Sequence, residues 1–266
     1  MALRMSEGLR NYLNAGGSLK SALDGGKILV YSGTQPTNAD DAVSGTLLCT
    51  YTKSGGAHTV EVRATGSVTL TGGAAGSVDT VTVNSIDVLG VAVPFNTSLT
   101  QTAADVAAQI NRNRANLLYI ASSGGAVVTL TARPGLGATV NGHAVTATLT
   151  TITASYVNIG SGVSGVSSVN GLTFEGSQLT SQAANGIMTK TASETWQGTA
   201  AATGTAGWFR FVGPVVDAGS ADSVEAFMRL DGSVATSGAQ LNLSSTSMTA
   251  AAIQTISTFQ ITVPAS

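Results

Sequence analysis

The segment Gly160-Ser161-Gly162-Val163-Ser164-Gly165 spells the Gly-x-Gly-x-x-Gly pattern of a dinucleotide-binding loop. Such a loop holds a pyrophosphate only where it leaves a strand and opens a helix, because the helix N-terminus supplies the donors. Here Val166 to Phe174 reads as loop and strand. The carboxylate expected about twenty residues on is missing, since Glu175 is too near and Glu194 too far. The segment is read as a linker. His58 and His143 are far apart in sequence, and neither lies near Cys49 or a carboxylate pair. A zinc site needs three or four such ligands at short spacing, and no Gly-x-Ser-x-Gly elbow presents a nucleophilic serine. Both histidines are read as loop or sheet-edge residues. Cys49 is alone, so it forms no internal disulfide, and in its apolar strand it reads as a small buried hydrophobe. Asp40-Asp41 and the set Asp217, Asp222 and Asp231 offer oxygen ligands for calcium, but no calcium-loop pattern surrounds them. Aspartates in Gly/Ser-rich segments more often bond nearby backbone N–H groups and shape turns. The expectation is a chain with no catalytic residue, cofactor or metal, and not an enzyme.

The elements around these residues are mostly strands. Lys27 to Tyr31 and Thr46 to Tyr51 read as strands, separated by the polar loop Thr34 to Asp41. Ser67 to Thr71, Asp79 to Val83, Val127 to Thr131 and Val145 to Leu149 alternate apolar and polar, as half-buried antiparallel strands do. One helix interrupts them near 103–114. Thr102-Ala103-Ala104-Asp105 has the form of a capping box, Ala103, Val106, Ala107 and Ile110 recur at helical spacing, and Arg112 and Arg114 suit the last turn. Further strands follow at Gly207 to Val212, Ser223 to Leu230, Gln240 to Leu243 and Thr255 to Val263, with Asp231-Gly232 as a turn signal. At the start, Leu3, Leu9, Tyr12 and Leu13 share one face of a loose helical period that Gly16-Gly17 ends.

In the strand around Trp208, Trp208 and Arg210 point to one side and Phe209 and Phe211 to the other. One side is core. The other is read as core or subunit contact, with a sugar-binding face as the rival. Leu9, Tyr12, Leu13, Trp208 and Arg210 are therefore the candidate subunit-contact residues.

Gly- and Ser-rich seams stand at Ser54-Gly55-Gly56 and Gly160 to Ser168. Residues 1–56 supply too few strands to bury a core alone. Both tryptophans and all five methionines lie outside 58–160. The economical organisation is one antiparallel β-sandwich or jelly-roll-like domain built from 1–56 and 163–266, with a small α+β module inserted at 57–162. The alternative is three consecutive modules.

The chain has 266 residues, of which 10% are charged, against about 25% in ordinary globular proteins. Gly, Ala, Ser and Thr make up half of it. Its net charge of −2 and few cations argue against a nucleic-acid surface. No apolar run nears the ~18 residues of a membrane helix, and no signal peptide is visible in the first thirty residues. A surface of hydroxyls and amides desolvates more cheaply than a charged one and does not repel copies of itself.

Several stretches add a family likeness. Gly25-Gly26-Lys27-Ile28-Leu29-Val30-Tyr31-Ser32-Gly33-Thr34-Gln35-Pro36, with Gly45-Thr46-Leu47-Leu48 soon after, resembles the opening of small virion structural proteins of tailed bacteriophages. Gly204 to Phe211, Leu230 to Leu243 and Phe259 to Val263 resemble their distal part, and Gly66 to Gly135 resembles a separate module of phage tail and virion proteins. The resemblance implies a non-enzymatic virion component, most nearly a capsid decoration or cement protein. It implies assembly in the bacterial cytoplasm into homo-oligomers, a trimer by analogy. The partners would be the major capsid protein or other virion proteins, with neither nucleic acid nor membrane. The alternatives are a tail- or neck-associated subunit and, in another class, a carbohydrate-binding adhesin.

Overall fold

The computed structural model describes residues 3–14, 17–113, 115–116, 118–175, 187–223 and 227–262. The fold is mainly β, with antiparallel sheets and few helices. Two compact units divide it: 1–60 with 168–266, and 61–167. The first division, 60/61, falls a few residues beyond the Ser54-Gly55-Gly56 seam, and the second, 167/168, falls inside the Gly160 to Ser168 seam, a few residues beyond the boundary read at 162/163.

The first unit is organised by one long sheet. Its strands run in the order Arg4–Met5, Arg229–Ala235, Gly204–Val212, Lys27–Ser32, Leu47–Lys53, Trp196–Thr199 and Ile253–Ile256, each antiparallel to its neighbour. A three-stranded sheet joins Phe174–Glu175, Ile187–Lys190 and Gln260–Thr262. The core between them is aromatic: Phe174, Trp196, Phe209, Phe211 and Phe259 pack with ring centroids 5.4–6.3 Å apart. At that spacing rings pack edge-on or tilted.

The second unit stacks two four-stranded sheets. Thr65–Gly72 and Val127–Ala132 bury every second residue, so Val68, Leu70, Val128 and Leu130 meet the helix residues Val106 and Ile110 in one core. Threonines occupy the other face of the second sheet. Thr80 and Thr82 bond Thr148 and Thr146 across the strands, at 2.7 and 2.6 Å. The hairpin Ser77–Asp87 turns on Asn84 and Ser85, both at positive φ (49° and 67°), which matches the twist of a two-residue hairpin.

Several local expectations shift. The helix spans Leu99–Arg112, one turn earlier than read from Thr102. Ser98 is its true cap, accepting from the Gln101 N–H at 3.1 Å. Thr102 is buried within the helix and donates back to Ser98 O. The N-terminal helix begins at Glu7, because Ser6 accepts from the Leu9 N–H while Arg4–Met5 is drawn into the sheet opposite Leu230 and Asp231. A further helix, Leu19–Leu23, opens on a Ser18/Ser21 capping box; at five residues it is too short to show a period. Asp231-Gly232 is no turn: both residues lie inside the strand Arg229–Ala235. Gly16, Arg114, Val224 to Ala226 and Val263 lie outside the described residues.

Candidate functional site: the buried arginine–carboxylate seam

Strand register places Arg210 opposite Asp231. Arg210 Nε and Nη2 donate to the two carboxylate oxygens at 2.8 and 2.7 Å, and Nη1 donates to Asp41 O at 3.1 Å. Both side chains are fully buried. Burial pushes the Asp231 carboxyl above the usual range, against the pull of the Arg210 bonds. Next to it, Arg229 clamps Asp217 in the same way, with two bonds of 2.7 Å. Its remaining donors reach the carbonyls of Ser220, Ala39 and Asp40. The two arginines thus staple the segments around 39–41 and 217–220 onto the sheet. Bidentate geometry leaves these guanidiniums little capacity for a ligand.

Other carboxylates bond backbone N–H groups. Asp222 accepts from the Phe227 N–H, Asp40 from the Glu7 N–H, and Asp41 from the Asn38 N–H. Glu61 accepts from the Gly135 N–H through both oxygens. Among the described residues no three His, Cys, Asp or Glu side chains converge as a metal site. His58 Nε2 lies 2.9 Å from Gly25 O, and burial holds its pKa below the usual value. His143 Nδ1 lies 2.7 Å from the hydroxyl of Tyr119, whose own pKa burial pushes up to about 12. Cys49 is buried in the core of the first unit. In the glycine-rich segment, Val163 and Val166 bridge to Thr65 and Val62 as extended chain. The helix N-terminus that phosphate binding needs is not part of that arrangement.

The candidate contact residues are spent inside the chain. Leu9, Trp208 and Arg210 are fully buried, Tyr12 is buried, and Leu13 is half-buried against the core. Trp208 faces away from Phe209 and Phe211 as alternation requires, yet that side is a second small core. There Tyr31 stacks on the indole at 4.6 Å, with Leu29, Val212 and Val43 around it. Sequence reasoning missed the arginine pairing because Arg210 and Asp231, 21 residues apart, meet only through sheet register, and Asp217, 12 residues before Arg229, meets it only because the segment around 217–220 folds back onto the strand.

No protein-family model matches this chain, and neither the curated proteins nor the solved structures contain a match to it.

The exposed surface has a consistent chemistry. From Gly232 to the last residue the sequence has no Asp, Glu, Lys, Arg or His. From Ala144 to Phe174 the same holds. Hydroxyls and amides carry the polarity there, interrupted by exposed apolar side chains such as Ile253, Val157 and Tyr156.

Proposed function

We propose that this chain is a non-enzymatic structural subunit of a tailed-bacteriophage virion, serving as a capsid decoration or cement protein. The observation that carries the reading is the division of its charges. The buried ionic groups hold the chain's own loops, and long uncharged tracts are left for contact with other subunits. Such a surface associates without the desolvation cost of charges, and many weak contacts made at once give a particle-bound protein its retention. The resemblance of 25–36, 45–48, 204–211, 230–243 and 259–263 to small virion proteins supplies the biological class. The partners are then copies of the chain and the major capsid protein, and the place is the virion. An adhesin would present aromatic side chains to sugars, whereas both tryptophans are fully buried.

Quantitative mass spectrometry of purified particles tests this. A decoration protein is expected at about one copy per capsid protein, or about one per three. A few dozen copies would move it to the neck or tail, and its absence would overturn the virion reading.

A further inference from the structure

An exposed strand edge offers a row of N–H and C=O groups to any other strand, and proteins usually defend it. Two edges in this chain are defended visibly. In the second unit, the edge strand Tyr119–Gly124 is capped by side-chain amides that imitate a neighbouring strand. Asn111 donates to Ala121 O and accepts from the Ala121 N–H, both at 2.8 Å. Asn116 does the same for Tyr119, at 2.8 and 3.1 Å. In the first unit, one end of the long sheet is only Arg4–Met5, two residues with a cation. The other end, Ile253–Ile256, has neither device. It has four residues, Ile-Gln-Thr-Ile, without charge or proline.

The pairing pattern fixes which groups point outward. Ala200 N–H donates to Ala252 O, and Ala200 O accepts from the Ala251 N–H. Inward bonding alternates along an antiparallel pair. Gln254 and Ile256, opposite Gly198 and Trp196, therefore bond inward. Ile253 and Thr255 aim their N–H and C=O away from the sheet. Their side chains share one exposed face, with Ile253 66% exposed.

We infer that Ile253–Ile256 is a self-pairing edge, at which a second copy of this chain adds its own Ile253–Ile256 antiparallel about a two-fold axis through Gln254. Ile253 then faces Thr255 of the other copy, and each such pair exchanges two backbone bonds. Ile253 and Thr255 form β-branched cross-strand pairs, which suit a sheet face. Gln254 meets its own counterpart at the closer, non-hydrogen-bonded position, with Cα atoms about 4.5 Å apart. The occupant is a second copy because the edge is self-complementary and free of charge. The uncharged tract from Gly232 onward brings no like charges together across the axis. A two-fold contact builds dimers or even-numbered assemblies, in place of the trimer drawn by analogy. The inference does not depend on the virion reading and is tested on the purified chain alone.

The test combines mass and cross-linking on the full-length chain. Light scattering after size exclusion is expected to give twice the 26.5 kDa chain mass. Thr255→Lys, at an exposed side chain, is expected to halve that mass with an unchanged circular dichroism spectrum. Gln254→Cys is expected to form an interchain disulfide on mild oxidation, since its Cα separation suits one. Thr255→Cys is expected not to, because its counterpart lies two residues out of register. The native Cys49 is buried and does not compete. A wild type that stays at single-chain mass at high micromolar concentration overturns the inference and leaves the edge to a strand of another protein. A Gln254→Cys chain that remains a free thiol overturns it too, and that readout stands even if Thr255→Lys misfolds.

Discussion

Arg210 and Asp231 stand opposite each other on adjacent antiparallel strands and meet fork to fork, 2.8 and 2.7 Å apart, with neither side chain reaching solvent. Removing one member of such a pair leaves an uncompensated buried charge, which costs about 3–5 kcal/mol. Asp231→Asn is expected to lower the urea midpoint accordingly at an unchanged m-value. The double variant Arg210→Met/Asp231→Leu is expected to lose less than Asp231→Asn alone, because it buries no orphaned charge. Equal losses would mean that the pair matters through its packing.

Glu194 gives the acid limb of stability a specific source. Burial pushes its pKa up, but bonds from the Thr173 N–H, the Trp196 indole, Lys53 and the Thr173 hydroxyl outweigh this and hold it below the usual 4.5. The folded chain thus binds this proton less readily than the unfolded chain. The contribution is complete above pH 4.5 and is lost as pH falls through the lowered value. Glu194→Gln is expected to be less stable than wild type at neutral pH, with the gap closing toward pH 3. Denaturant titrations at several pH values check this, and a gap constant with pH would remove Glu194 from the account.

The Cys49 thiol is pushed up to about 11 by burial. The thiolate is the reactive form. Labelling with a thiol reagent at pH 8 is expected to be at least about a hundredfold slower in the folded chain than in denaturant. Labelling that is fast in native buffer would show that the strand Leu47–Lys53 opens readily.

Gly232 has no room for a methyl group. A Cβ there would stand 2.6 and 2.8 Å from two atoms of the Phe209 ring and 3.0 Å from the Gln240 Cβ. That ring is held edge-on against Phe259, with centroids 5.6 Å apart, so it has little freedom to move. Gly232→Ala is expected to cost about 1–3 kcal/mol, typical of overpacking. Thermal melting measures it. A neutral result would mean that the aromatic core repacks.

Sequence by itself determined what depends on near neighbours. Alternation at Ser67 to Thr71 and Val127 to Thr131 specifies half-buried strands, because the side-chain period of a strand is two whatever it later pairs with. The recurrence of Val106, Ala107 and Ile110 specifies a helix for the same local reason. Scarce charge specifies a surface of hydroxyls. Only the tertiary structure decided what depends on a distant partner. Asp231-Gly232 has the composition of a turn, yet it runs straight through a strand because Arg210 neutralises the aspartate and the Phe209 ring fills the space beside the glycine. Trp208 and Arg210 were legible as a face opposite Phe209, read as core or subunit contact, but the elements that cover it were not. What buries them comes from strand Lys27–Ser32, from Val43 and from the segment near Asp41, and that apposition is written in sheet register rather than in spacing.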